Sequence, residues 1–238
     1  GKSKLIELFE KAFGEYSSKL NVALITQKRN QSSAASPEIA KLKNVRSAVL
    51  QEPGENETIN AGIVKELTGG DTLVARHLNK DLFEFKPQFK LILLTNNLPK
   101  MPPDDGGIWR RTRVVRFESS FVANPDPNNE NEYKMDTDLN SKLELWKEAF
   151  MWILLQKFKD YKKHGYTEPP SVLEACNDYQ QMNDNYIDFW NEFIINTKNN
   201  NNMLYLDETY SLFQQWFKDT ITDKPPSRKN LQKRTGKV

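Results

Sequence analysis

Cysteine and histidine are nearly missing: Cys176 stands alone, and His77 and His164 are the two histidines among 238 residues. One thiol makes no internal disulfide, and so small a set of sulfur and imidazole ligands argues against a zinc site. Cys176 reads as a small residue on a helix. Long apolar runs are missing as well. Nothing approaches the ~20 residues that cross a bilayer, and the first residues carry no charged-then-apolar targeting pattern. With 37% hydrophobic residues and a mean hydropathy of −0.73, the expectation is a soluble protein of the cell interior with no membrane partner. Net charge is almost absent too, because 34 Lys and Arg against 32 Asp and Glu leave +2. No global basicity draws the chain to nucleic acid, so any such contact must come from local patches. The length suffices for one full domain with a sizeable core and part of another.

What is present begins at the first residue. Gly1-Lys2-Ser3 has the form of the last three residues of a phosphate-binding loop, G-x-x-x-x-G-K-[ST]. The spacing of Leu5, Ile6, Leu8, Phe9, Ala12 and Phe13 predicts a helix that Gly14 ends. The triplet therefore opens a helix, where free amides and the helix dipole favour anions. The strand and glycine-rich turn that complete such a loop are expected ahead of Gly1. Asn21 to Thr26 is β-prone, as is Ser47 to Leu50, which leads into Gln51-Glu52-Pro53. Pro53 ends that strand and leaves Glu52 at its tip. Ile59, Ile63, Val64 and Leu67 predict a short helix closed by Gly69-Gly70. Asp71 to Lys90 reads as a hairpin with Lys80 near its tip. Phe89 to Thr95 is a continuous apolar run, expected as a strand buried on both faces of a parallel sheet, and it ends at Asn96-Asn97. A loop rich in Pro, Asp and Gly, from Pro99 to Gly107, precedes Ile108-Trp109-Arg110-Arg111-Thr112-Arg113 and a last strand at Val114 to Phe117.

Residues 123–135 read as a polar loop. Asp138 to Lys163 predicts a long amphipathic helix ended by His164-Gly165, and Pro169-Pro170 resets the chain. Ser171-Val172-Leu173-Glu174 is a capping box that starts a helix running to about Asn196. After the tract Asn199 to Asn202, Asp207 to Thr220 forms another helix with Tyr210, Phe213, Trp216 and Phe217 on one face. The ending is basic, with Arg228, Lys229, Lys233, Arg234 and Lys237. Trp109, Trp146, Trp152, Trp190 and Trp216 are expected as core or interface aromatics rather than base-stacking platforms.

A lysine and a hydroxyl for phosphate and magnesium, then an acid, an amide and an arginine, are the parts that nucleotide hydrolysis requires. The ordered series Lys65-Glu66-Leu67-Thr68-Gly69-Gly70-Asp71, Arg76, Phe85-Lys86-Pro87-Gln88-Phe89-Lys90, Thr95-Asn96-Asn97-Leu98-Pro99 and Gly107-Ile108-Trp109-Arg110-Arg111, followed by Phe117, resembles superfamily 3 helicases. Within that class it resembles the poxvirus-type primase-helicases of large DNA viruses, which are related to phage and plasmid primase ATPases. The resemblance covers the first half strongly and the second half more loosely. It implies an α/β P-loop ATPase core of AAA+ type with a parallel central sheet over residues 1–122. A linker and C-terminal helical part would follow over 123–198, and an incomplete winged-helix-like module over 199–238. The function implied is ATP-driven, Mg²⁺-dependent translocation on single-stranded DNA and unwinding of duplex. The expected partners are single-stranded and forked DNA, further copies of the chain in a hexameric ring, and other replication proteins.

Residue by residue, the resemblance implies that Gly1, Lys2 and Ser3 bind the nucleotide, with Lys2 on the β- and γ-phosphates and Ser3 on Mg²⁺. Glu52 takes the place of the acid that holds Mg²⁺ through water and polarises the attacking water. Relatives in the wider class carry two adjacent acids, whereas Gln51 precedes Glu52 here, so Glu52 serves both tasks or Glu55 assists. Asn96 takes the sensor position, with Asn97 as its competitor. Arg111 is the expected arginine finger, with Arg110 and Arg113 as alternatives, and those that are not fingers would pair with Asp104 or Asp105. Arg76, His77 and Lys80 on the hairpin would meet DNA phosphates. A packaging or remodelling motor, or a non-catalytic DNA-binding or ring-assembly subunit, are the rival readings.

Overall fold

The structure, a computed structural model, describes residues 1–27, 36–51, 53, 57–195, 197, 203–221 and 225–235. Helix α1 (Lys2–Phe13) buries Ile6 and Leu8 and stops at Gly14, whose φ of +55° is a left-handed conformation that glycine adopts without strain. Strand β1 (Ser17–Leu20) and two single-turn helices, α2 (Ala23–Thr26) and α3 (Pro37–Ala40), lead to β2 (Ser47–Gln51). Helix α4 (Ala61–Thr68) starts where the Asn60 side chain accepts a hydrogen bond from the Ile63 amide. There follow β3 (Leu73–Arg76), β4 (Leu82–Phe85), β5 (Lys90–Leu94), α5 (Gly106–Trp109), β6 (Ser120–Val122), β7 (Glu132–Lys134), α6 (Leu139–His164) and α7 (Pro170–Met182). Last come α8 (Asn185–Phe193), α9 (Leu206–Ile221) and α10 (Arg228–Thr235).

The architecture is mixed α/β. Strands β1, β2 and β5 form a parallel sheet in that order, with Ser17 opposite Ser47 and Gln51 opposite Leu94. Central β2 is buried from Ser47 to Leu50, as its run of small and aliphatic residues requires. β5 lies at the edge of this sheet, so Leu91 to Leu94 are half-buried rather than enclosed on both faces as their continuous hydrophobicity predicted. The β-prone run from Asn21 is also corrected. The strand precedes it, and the Asn21 side chain accepts a hydrogen bond from the Ala23 amide at 2.9 Å, turning the chain into α2. The core under the sheet joins Leu20, Leu42, Ala48, Leu50, Leu67, Leu73 and Ile108.

Val114 to Phe117 is not a strand. The Val114 amide donates to the Cys176 sulfur, and Arg116 pairs with Asp178 at 2.7 Å, so this segment is tied to α7 instead of to a sheet. Residues 123–135 are not simply a loop, because β6 and β7 pair in parallel with Ser120 opposite Glu132. Helix α6 has the predicted length and ends at Gly165, with φ +77°. It packs on α1 through an edge-to-face contact of Phe9 with Phe150 at 4.8 Å. Leu145, Trp152 and Phe158 are nevertheless exposed, so its apolar residues do not form one covered face.

Two compact units divide the described chain, Gly1–Tyr179 and Gln180–Val238. The expected helix to Asn196 is broken at Asp184, whose carboxylate accepts from the Tyr186 amide and starts α8 afresh. The second unit has its own aromatic core of Tyr186, Phe189, Phe213, Trp216 and Phe217. Tyr186 and Phe213 stack at 5.3 Å with planes 6° apart.

Candidate functional site

The parallel sheet directs the carboxyl ends of its strands to one edge, where open α/β folds place their ligands. There the first residues of α1 meet the end of β5. The Lys2 ammonium donates to the Thr95 carbonyl at 2.6 Å and to Asn96 Oδ1 at 2.8 Å. The Thr95 hydroxyl donates to the Asn97 carbonyl, closing a tight turn that carries Asn96. Of the two adjacent asparagines, Asn96 is therefore the one in contact with Lys2. Ser3 lies exposed beside it in the first turn of α1. Glu52 and Glu55 lie outside the described residues.

An amine, a hydroxyl and the free amides of a helix start, converging with an asparagine amide, form a donor set suited to phosphate oxygens. Lys2, Ser3 and the opening of α1 fit a nucleotide triphosphate, and the Ser3 hydroxyl fits one Mg²⁺ position, since Mg²⁺ takes few protein ligands beside phosphate and water. Among the described residues, no cluster of three or more His, Cys, Asp or Glu stands ready to hold a metal by itself.

The arginines occupy a separate stretch. Arg111 follows α5, is half-buried, and donates from Nη1 to the Gly107 carbonyl at 2.7 Å. Arg113 is committed to Glu168 and to the carbonyls of Arg110 and Thr112. Arg110 is exposed. Of the two carboxylates expected to pair with these arginines, Asp104 and Asp105, the second instead receives Lys65 at 2.6 Å. Asp105 also caps α5, accepting from the Gly107 and Ile108 amides at 3.0 and 3.2 Å. The Lys65 hydrogen bond, with the two amides adding to it, holds this carboxyl below its ordinary value. Sequence reasoning used Lys65 only as part of the resembling series and Asp105 only as a possible arginine partner, and did not pair the two. The available signal was an acid just before Gly-Gly and an apolar pair, a helix-start pattern.

The loop between Asn96 and the arginines is pinned from α7. The Tyr179 hydroxyl donates to the Pro99 carbonyl, and burial pushes that phenol far above its ordinary value. The Trp109 indole stands edge-on to Tyr179 at 5.3 Å and donates to the Pro102 carbonyl at 3.0 Å.

The hairpin forms as expected, with Arg76 opposite Leu82 and residues 77–81 as its exposed connection. Asn79 takes φ +55°, and Lys80 stands beside it. His77 stacks on Phe83 at 5.4 Å, which leaves Lys80 as the cation nearest the tip. The Arg76 backbone exchanges hydrogen bonds with Ser36 in both directions. Lys2, Ser3 and Asn96 thus come together, whereas Arg111 and the hairpin residues belong to other parts of the same unit.

A parallel sheet with helices packed beside it makes this an α/β protein, and comparison with known proteins supplies the lineage. Residues 1–111 match a family of unknown function (DUF5906). The chain is 37% identical over 240 residues to "Putative helicase L207/L206" of Acanthamoeba polyphaga mimivirus, covering 98% of this chain and 25% of that protein. It is 35% identical to "Putative helicase 022R" of Frog virus 3, over 91% of this chain and 23% of that protein. It is 26% identical to "Putative primase C962R" of African swine fever virus, over 94% of this chain and 24% of that protein. A solved structure titled "The A form apo structure of NrS-1 C terminal region-CTR" aligns with a TM-score of 0.45 and 14% identity, over 91% of this chain and 50% of that one, too slight a likeness to argue from. The chain belongs to the primase-helicase family of large DNA viruses. It spans about a quarter of the length of the curated relatives it matches.

Proposed function

We propose that this chain carries the ATPase part of a replicative DNA helicase, a P-loop core of AAA+ type that works as a ring in the interior of an infected cell. The observation that carries the reading is the contact of Lys2 with Asn96 at the carboxyl edge of the parallel sheet. A phosphate-loop lysine and a sensor amide must face the same terminal phosphate, and these two side chains, 94 positions apart, already touch. The helicase and primase names of the relatives support the same reading.

In this proposal Lys2 and the amides at the start of α1 bind and orient the phosphates, and Ser3 with Glu52 holds Mg²⁺, which supplies charge neutralisation at the β- and γ-oxygens. Glu52 receives a proton from the attacking water. Asn96 fixes the position of the terminal phosphate, and Arg111, reaching a neighbouring copy, stabilises charge in the transition state. Lys80 at the hairpin tip contacts the phosphates of single-stranded DNA.

ATP hydrolysis by the full-length protein, measured with and without single-stranded DNA, tests the proposal. Lys2→Ala, Glu52→Gln and Asn96→Ala should each abolish turnover, Arg111→Ala should lower it by ~10³-fold or more, and Lys80→Ala should remove its stimulation by DNA alone. Turnover that ignores DNA and the Lys80 substitution would favour a packaging or remodelling motor. No turnover in the unaltered protein would leave a binding or ring-assembly role.

A further inference from the structure

We infer that Lys65 is a positioning residue for the Arg110–Arg111 pair and acts on it through Asp105. The inference rests on the ATPase reading above, in which one of these arginines reaches the nucleotide of a neighbouring copy.

Both arginines follow directly on α5, a single turn of four residues. So short a helix has almost no stability of its own, since one turn fixes several dihedrals for one or two hydrogen bonds. Something outside the turn must therefore hold it. Asp105 uses both carboxylate oxygens for that purpose. Oδ1 accepts from the Gly107 and Ile108 amides, and Oδ2 accepts from Lys65 on α4. Helix α4 is in turn fixed to the core by Ile63 and Leu67 and capped by Asn60.

The lysine stem takes part as well. A Cβ added at Gly107 would lie 2.9 Å from Asp105 Oδ1 and 3.0 Å from Lys65 Cδ, so the turn sits close against both side chains and a larger residue there would push on them. The Gly107 carbonyl then accepts the Arg111 guanidinium. Contacts thus run without a gap from Lys65 to Asp105, to Gly107, to Arg111. Ile108, 1% exposed, anchors the same turn in the core. A guanidinium that must meet developing charge on another copy depends on placement, and a displacement near 1 Å can cost ~10²-fold in rate. With its ammonium on Asp105, Lys65 has a task distinct from the phosphate contacts of Lys2.

The test measures DNA-stimulated ATP turnover by the full-length protein, with affinity for a fluorescent ATP analogue and melting temperature followed separately. Lys65→Met keeps the stem and removes the charge. It should lower kcat by about 10-fold to 100-fold while KM for ATP and analogue affinity stay within about 2-fold, because Lys2 and α1 are untouched. Lys65→Arg should restore most of the loss. Asp105→Asn, which keeps a capping oxygen, should match Lys65→Met, and the double variant should be no slower than either single one. If Arg110→Ala or Arg111→Ala abolishes turnover while Lys65→Met leaves kcat alone, the positioning role is overturned and the ATPase reading stands. If kcat, KM, affinity and melting temperature all fall together in Lys65→Met and Lys65→Arg alike, Lys65 merely supports the fold and the inference is overturned. If neither arginine substitution changes turnover, the finger assignment itself fails and takes the inference with it.

Discussion

At the scale of single residues, the site depends on side chains that hold backbone rather than on many that could touch a ligand. Tyr179 is the clearest case. It is 3% exposed, and its hydroxyl reaches the Pro99 carbonyl in the loop that follows Asn96. Removing that hydroxyl strands a polar group away from water, which costs ~1–3 kcal/mol. Tyr179→Phe should therefore lower stability by that order in urea denaturation and slow turnover where Asn96 must stay in place. An unchanged urea midpoint would show that the contact contributes nothing. The same scale explains what was legible beforehand. Lys2, Asn96 and the arginines stand in short motifs whose chemistry can be read from residue type and order. Lys65 and Asp105, 40 positions apart, carry ordinary surface charges in the sequence, and nothing local announces that they meet.

Elements were legible where one pattern dominated. Helices α1, α4 and α9, the hairpin of β3 and β4, and strand β2 all follow the hydrophobic period of their segments. The failures have definite causes. At Asn21 a side chain competed with the strand ladder for a backbone amide. At Val114 to Phe117 the β-prone residues had their hydrogen bonding and charges taken up by α7. At Asp184 a helix start interrupted a continuous helical pattern. The contact of α1 with α6 offers an element-scale prediction. Glu144 on α6 receives both Lys11 of α1 and Lys147, and these hydrogen bonds hold its carboxyl down to about 2. A depressed folded value means that the contribution is complete above the ordinary value of 4.5 and fades as pH falls toward 2. Glu144→Gln should thus lower the urea midpoint slightly at pH 6 in low salt, with the difference shrinking as pH falls below 4.5, gone only below about pH 2, and reduced in high salt. A difference just as large at pH 2 as at pH 6 would contradict the ion-pair origin.

At the scale of the whole molecule, two units have cores of different character. The first is aliphatic around β2 and α4, and the second is built almost wholly from aromatic rings on α8 and α9. Phe213 is fully enclosed in the second and touches Tyr186, Phe189, Trp216 and Phe217. Separate cores predict separate unfolding transitions. Phe213→Ala should destabilise the second unit by ~3–5 kcal/mol and leave the melting of the first unchanged in calorimetry. A single transition that shifts as one would show that the two cores unfold cooperatively. The sequence showed the helical face of α9 plainly, but the division at Tyr179 falls inside α7, where no change of composition marks it.

The contact between Lys2 and Asn96 has a consequence for polarity. An asparagine side chain is chemically two-faced, an acceptor on one branch and a double donor on the other. With Oδ1 turned toward an ammonium that can only give protons, the amide has no freedom to reverse, and Nδ2 must face the other way. Asn96 therefore presents protons, not lone pairs, to whatever lies opposite Lys2. It suits the oxygens of a terminal phosphate, and it meets a water molecule at that molecule's lone pair.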